Sequence, residues 1–168
     1  MTEHVPDPHD SELVLHPSVT PLVFISYSHD SLPHKTWVAH LASRLLDNGI
    51  DVSLDEWDVE LGDDLPSYME QSIAKADRVL VICTDEYIRK AEGGQGGVAY
   101  ERMIVTAELV ANVGTSKFIP VVRNVRGDQK TPKFLASRKH VDPTFRTWSL
   151  HISEFSSRAC VKSRAVPA

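Results

Sequence analysis

Three short apolar runs constrain the fold of this chain more than any other feature of its sequence. They are LVFISY from Leu22, RVLVIC from Arg78 and FIPVV from Phe118. Runs of this length that are apolar throughout and rich in β-branched residues are typical of strands buried on both faces of a parallel sheet. Residues 50–54 are predicted to form a further short strand, and residues 139–141 a weak fifth.

Helical patterns separate these runs. Apolar residues recur at helical spacing over 37–45 and stop at Asn48-Gly49, over 65–73 after the capping candidates Asp63 and Asp64, and over 100–111. A short helix near 85–91 is expected to lead into a glycine-rich loop, EGGQGG. Alternating strands and helices predict a flavodoxin-like, doubly wound α/β fold, with about five parallel strands in the order 2-1-3-4-5 between two helical layers.

Composition excludes several functional classes. The net charge of -5 and the pI near 5.9 argue against a nucleic-acid partner, which requires a basic face. Cys83 and Cys160 are too few and too far apart for a disulfide framework or a metal clip. No apolar run approaches the length of a membrane span, and the N-terminal residues are acidic, unlike a signal peptide. We therefore expect a cytoplasmic protein without a membrane partner.

The chain is predicted to contain one domain between two tails. Residues 1–20 form a flexible leader rich in Pro, Asp and His, residues 21–146 the domain, and residues 147–168 an atypical tail without a sustained helical stripe. Charge is unevenly distributed, because residues 1–116 hold 7 basic and 20 acidic side chains whereas residues 117–168 hold 11 and 3. This polarity favours head-to-tail self-association.

Five segments, taken in order, resemble the conserved boxes of TIR and SEFIR domains. They are VFISYSHDS from Val23, DVSLDEWDVELGDDLPSYMEQSI from Asp51, RVLVICTDEYIRKA from Arg78, GGVAYERMIVTAEL from Gly96 and KFIPVV from Lys117. The resemblance covers residues 22–141, and the sequence looks closer to the prokaryotic SEFIR-like branch. It implies a signalling domain that associates with copies of itself or with other TIR/SEFIR domains.

The resemblance implies that Glu101 is catalytic. The corresponding glutamate of TIR enzymes acts on the nicotinamide riboside of NAD+, which is a substrate rather than a cofactor. Cleavage of that bond passes through an oxocarbenium-like state that a carboxylate stabilises. The alternative is that Glu101, predicted in the first turn of its helix, only complements the helix dipole. Glu108, two turns further on, is expected to be a solvated or salt-bridged surface residue.

Residues after the strands are candidates for substrate binding, because ligands of such sheets bind beyond the carboxyl ends of the strands. Hydroxyls of Tyr27 and Ser28 are candidates for ribose or phosphate contacts, with capping of the next turn as the alternative. Trp57 is a candidate for stacking on adenine or nicotinamide or for anchoring a partner subunit, against simple packing of its loop. Tyr87 is a weaker candidate of the same kind.

The acidic loop after the second strand corresponds to the BB loop through which family members assemble. Its predicted assembly residues are Asp55, Glu56, Asp58, Leu61, Gly62 and Asp63. The carboxylates do not follow calcium-loop spacing, and the histidines lack paired-ligand spacing, so no metal site is predicted.

The sequence is compatible with two functions. In the first, the domain self-assembles and hydrolyses or cyclises NAD+ in a bacterial immune or antiphage response. In the second, it is a non-enzymatic adaptor that recruits like domains. A phosphoacceptor receiver, which shares the strand order, fits poorly because the first strand ends with a single carboxylate, Asp30.

Overall fold

Four parallel strands form the sheet in the described part of the chain. The computed structural model describes residues 20–58, 62, 64–94, 96–112 and 114–142, with only the backbone at 56–57 and 96–101. Apart from Thr20, the predicted leader and tail lie outside these ranges. The strands are β1 (Leu22–Ser26), β2 (Asp51–Ser53), β3 (Arg78–Cys83) and β4 (Phe118–Val122). Their order, β2-β1-β3-β4, confirms the predicted doubly wound arrangement.

The predicted fifth strand is reduced to one residue in the described ranges. Val141 pairs in parallel with Val121 through two backbone hydrogen bonds, from Val122 N to Val141 O (2.8 Å) and from Val141 N to Pro120 O (2.9 Å). Val141 thus occupies the fifth position beside β4. The strand order is as expected, although the pairing is shorter than a strand.

Five α-helices and one short 3-10 helix connect the strands in these ranges. They are α1 (Leu32–Asp47), α2 (Asp55–Asp58), α3 (Leu65–Lys75), α4 (Asp85–Gly93), α5 (Gly96–Ala111) and the 3-10 helix Lys133–Leu135. As predicted, α1 stops at Asn48-Gly49 and Asp64 caps α3, accepting from Ser67 N at 3.5 Å. Among the described residues, no helix combines the length and apolar character needed to cross a membrane.

The sheet separates two apolar cores. On one face, strand residues such as Ile25, Leu80 and Val121 pack against α1. On the other face, alternate residues such as Phe24 and Val81 pack with side chains of α3, α4 and α5. Because neighbouring strand residues point to opposite faces, burial on both sides accounts for the uninterrupted apolar runs in the sequence.

The glycine-rich segment between α4 and α5 differs from its prediction as a loop. Glu92 and Gly93 belong to the end of α4, and Gly96 and Gly97 already belong to α5. Gly94 ends α4 in the left-handed conformation (φ 65°), where glycine carries no Cβ penalty. Of the described residues in the expected loop, all but Gly94 are therefore helical.

Candidate functional site

Asp30 joins the ends of β1 and β3. The Ser28 hydroxyl donates a short hydrogen bond to Asp30 Oδ1, and Thr84 Oγ1 donates to Asp30 Oδ2 at 2.6 Å. Thr84 also accepts from Tyr87 N at 3.0 Å and so caps α4. Ser28 and Thr84 are buried and Asp30 is half-buried. One carboxylate therefore holds the two central strand ends together, where the strand order reverses and ligands of this fold bind.

A buried histidine lies beside this carboxylate. His34, in the first turn of α1, is 2% exposed, with its ring centroid 5.9 Å from that of Tyr27 and stacked at 6.5 Å on Trp37. Arg123 Nη1 donates to His34 Nδ1 at 2.9 Å. Because a guanidinium only donates, Nδ1 accepts, and the proton of the neutral ring lies on Nε2. Burial lowers the pKa of His34, while the nearby Asp30 opposes this shift.

Arg123 crosses the end of the sheet to reach His34. It follows β4, which is separated from β1 by β3, so its side chain spans the carboxyl end of β3. Its guanidinium carbon lies 4.8 Å from the centroid of the Trp37 ring, a cation–π contact. Burial lowers the pKa of Arg123, and Asp30 acts in the opposite direction. The arrangement brings residues that follow β1 and β4 together over the central strands.

A second carboxylate, Asp58, organises the end of β2. Its Oδ2 accepts from Ser53 Oγ, Tyr68 Oη and Leu54 N, each at 3.0 Å. Tyr68 belongs to α3, so these bonds connect the start of the acidic loop to the helix that follows it. Burial is the main cause that raises the pKa of Tyr68 to about 12. Asp58 therefore contributes to the internal structure of the loop.

A family model described as the TIR domain matches residues 23–155, most of the chain, and runs past the predicted domain boundary at 146. The chain belongs to the TIR/SEFIR superfamily. Comparison with curated protein sequences gave no match.

Solved structures support the same family. A crystal structure of a prokaryotic SEFIR domain is 38% identical, with a TM-score of 0.66 over 82% of this chain and 97% of that one. The SEFIR domain of interleukin-17 receptor B is 13% identical (TM-score 0.59, 82% and 96% covered). The TIR domain of the Toll-related receptor TRR-2 from Hydra magnipapillata is 15% identical (TM-score 0.56, 79% and 96% covered). The last two show a shared fold.

Three predicted substrate-binding residues of this TIR/SEFIR domain are buried. Tyr87 is 0% exposed, and its hydroxyl lies 3.1 Å from Ser26 Oγ. Tyr27 packs in the core beneath α1, and Ser28 bonds to Asp30. Capping of the turn into α1 was the alternative for Tyr27 and Ser28, but Ser31 is the residue that caps α1. Their roles in substrate binding stay predictions, and the fourth candidate, Trp57, has its side chain outside the described part.

Glu101 lies in the second turn of α5. The prediction that it occupies the first turn is wrong, because α5 already begins at Gly96 and its first turn contains no acidic residue. The dipole acts within the first turn, so dipole complementation becomes a weaker account of this glutamate. Its side chain lies outside the described part. Glu108 forms an ion pair with Lys117 (Oε1 to Nζ, 2.8 Å), which confirms the expected surface role.

The predicted assembly loop is described only in part. Asp55 Oδ2 lies 2.9 Å from His29 Nε2, which joins the ends of β2 and β1. Gly62 adopts φ 104°, a conformation that favours glycine. Leu61, Asp63 and the side chain of Glu56 lie outside the described part.

Sequence reasoning did not identify His34, Trp37 or Arg123 as parts of one site. Arg123 directly follows a buried apolar strand, a position at which polar residues of this fold reach the ligand edge. The position of Arg123 in the sequence could therefore have indicated a role at the ligand edge. Trp37 belonged to the helical pattern of α1, which indicated only packing, and His34 was one of the scattered histidines that lack paired-ligand spacing. In the chain, 89 positions separate His34 from Arg123.

Proposed function

We propose that this TIR/SEFIR signalling domain self-assembles and, in the assembled state, cleaves NAD+ between nicotinamide and ribose in a bacterial immune or antiphage response. The observation that carries the proposal is the polar cluster at the carboxyl edge of the sheet, where Asp30, Thr84, His34 and Arg123 meet. Such an edge is the usual ligand site of doubly wound sheets. The family resemblance at Glu101 supplies the candidate catalytic carboxylate.

The reaction requires little covalent participation by the protein. The N-glycosidic bond breaks with its electron pair passing to the nicotinamide nitrogen, which leaves an oxocarbenium-like ribose. Water then attacks the anomeric carbon and loses a proton to give ADP-ribose, or a nitrogen of the adenine attacks to give a cyclic product. The Glu101 carboxylate would stabilise the positive charge that develops on the ribose.

The test compares NAD+ consumption by wild type and Glu101→Gln at high protein concentration, where assembly is favoured. We expect nicotinamide release to fall by roughly 100-fold or more, the loss typical when a group that stabilises the transition state is removed. Glu108→Gln is the matched control, because it changes the same residue type on the same helix at an ion pair away from the strand edge. Circular dichroism checks that each variant is folded.

Two results would contradict the enzymatic proposal. One is equal turnover by wild type and Glu101→Gln. The other is an assembled wild-type protein that releases no nicotinamide.

The adaptor function remains the second candidate, and the 38% identity with a prokaryotic SEFIR domain favours it. In that case the domain recruits like domains without chemistry. Fusion to a multimeric carrier would then produce assemblies with no loss of NAD+, whereas an enzyme would consume NAD+ in the same assemblies.

A further inference from the structure

We propose that Arg123, positioned by His34 and Trp37, is an anion-binding residue that takes the phosphate groups of a nucleotide at the carboxyl edge of the sheet. This inference deepens the proposed function and rests on it for the identity of the ligand, the ADP portion of NAD+. Phosphate binding by Arg123 is nevertheless measurable without any cleavage.

The first observation is a cation that forms no direct ion pair with a carboxylate of the described residues. None of the ion pairs among the described residues involves Arg123, although its side chain is partly withdrawn from water. The groups in contact with its guanidinium, the His34 ring and the Trp37 ring, are neutral. The other N–H groups of this partly buried guanidinium have no hydrogen-bond partner among the described residues, which favours binding of a ligand that carries negative charge and several acceptor oxygens.

The second observation is a buried donor without a partner. His34 Nε2 is inaccessible to solvent and has no hydrogen-bond partner in the described ranges. Because Nδ1 accepts from Arg123, Nε2 carries the proton, so it is an unsatisfied N–H. Buried polar groups are nearly always hydrogen-bonded, and exceptions mark missing ligands, missing water or functional sites. An acceptor oxygen is thus lacking beside the same residue that orients Arg123.

The surrounding segment is basic. Within residues 118–127 the charged side chains are Arg123 and Arg126, and Lys130 follows shortly after. Arg126 is exposed, and its backbone N contacts both carboxylate oxygens of Asp85 at 3.3 Å, which attaches this loop to the start of α4. With Asp128 included, residues 118–130 hold three basic side chains and one acidic side chain, so the segment after β4 carries net positive charge.

Asp30 is the nearest opposing charge. Each of its two carboxylate oxygens already accepts a hydroxyl hydrogen bond, from Ser28 or Thr84. It forms no ion pair with Arg123 within 4.0 Å in the described part of the chain. The guanidinium is consequently available to an external anion.

The experiment measures binding of ADP-ribose and of inorganic pyrophosphate by titration calorimetry. We expect both to bind wild type, and Arg123→Gln to weaken each by about 10- to 100-fold, as expected for loss of charge-assisted hydrogen bonds. Arg44→Gln is the matched control and should bind like wild type, because Arg44 is exposed in the last turn of α1, next to the turn that leads into β2 at the opposite edge of the sheet. Tighter binding of ADP-ribose than of pyrophosphate identifies a nucleotide ligand, and equal binding identifies a site for free phosphate.

A positioning role for His34 is tested separately. His34→Asn keeps an acceptor near the position of Nδ1 and is expected to retain affinity, whereas His34→Leu releases Arg123 and lowers it. Should Arg123→Gln fail to fold in thermal unfolding, Arg123→Lys takes its place. It keeps the charge but loses the planar fork, and it is expected to bind about tenfold more weakly.

Equal affinity of wild type and the folded Arg123 variant overturns the inference, as does a wild type that binds neither probe. The binding experiment and the NAD+ cleavage experiment can fail independently of each other. If NAD+ is not cleaved but ADP-ribose binding depends on Arg123, the proposed function fails and this inference stands. If NAD+ is cleaved with a KM that Arg123→Gln leaves unchanged, the inference fails and the enzymatic function stands.

Discussion

Two carboxylates, Asp30 and Asp58, organise neighbouring strand ends in different ways. Asp58 collects three hydrogen bonds from groups within ten residues of it, at an exposed position. Asp30 is half-buried, and its bond to Thr84 joins residues 54 positions apart. The network of Asp58 therefore shapes one loop, whereas that of Asp30 joins two strands that meet only in the folded protein.

The difference distinguishes the proposed ligand edge from the predicted assembly loop. The edge above β1 and β3 is linked by hydrogen bonds between distant residues and holds the Asp30 carboxylate and Arg123, the proposed anion-binding residue. The loop after β2 is anchored at its start by Asp55 and Asp58. Four substitutions test this contrast.

Asp30→Ala should have the largest effect. It leaves the buried hydroxyls of Ser28 and Thr84 without their acceptor, so the free energy of unfolding is expected to fall by about 2 to 3 kcal/mol in urea titrations. Asp30→Asn keeps one acceptor oxygen and should lose less. A loss from Asp30→Ala no greater than that from an exposed surface substitution would mean that this carboxylate does not join the strands.

Thr84→Val is expected to cost about 1 to 2 kcal/mol. The change preserves shape but removes both the donor to Asp30 and the acceptor that caps α4 at Tyr87 N. Thr84→Ser, which retains the hydroxyl, is the control and should stay close to wild type. If valine and serine variants unfold at the same urea concentration, the hydroxyl has no structural role.

Tyr68→Phe removes one donor to Asp58 and should cost about 1 kcal/mol at neutral pH. The folded protein raises the pKa of Tyr68 from 10.0 to about 12, so the unfolded chain loses this proton first as pH rises. The stabilising contribution is complete below pH 10 and is lost as pH rises toward about 12. In a titration followed by tyrosine absorbance, the contribution of Tyr68 should appear near pH 12 and be absent from Tyr68→Phe. Titration of every tyrosine near pH 10 would contradict this assignment.

Asp55→Asn should have the smallest effect. The pair of Asp55 with His29 is largely exposed on the histidine side, and such pairs contribute less than about 1 kcal/mol. When His29 is protonated, the loss should shrink further in high salt, because mobile ions screen exposed charges. A loss as large as that of Asp30→Ala would show that the two regions do not differ as described.

Local patterns predicted the scaffold well. The apolar runs gave β1, β3 and β4, the stop at Asn48-Gly49 ended α1, and Asp64 capped α3, because these features depend on residues within one turn or strand. The glycine-rich segment was predicted less well. Where a loop was expected, the structure has the end of α4, capped by Gly94, and the start of α5. Glycine composition alone does not distinguish a loop from a helix cap.

The sequence by itself determined the family, the strand order and the residues that follow each strand. The tertiary structure alone decided which of those residues meet. Tyr27 and Tyr87 follow strands, as a ligand contact would, yet both side chains are buried in the cores. Arg123 reaches His34 because the crossover connections place β4 two positions from β1 with its carboxyl end at the same edge. Contacts between residues so far apart in the chain depend on pairing register and side-chain direction, which no local pattern specifies.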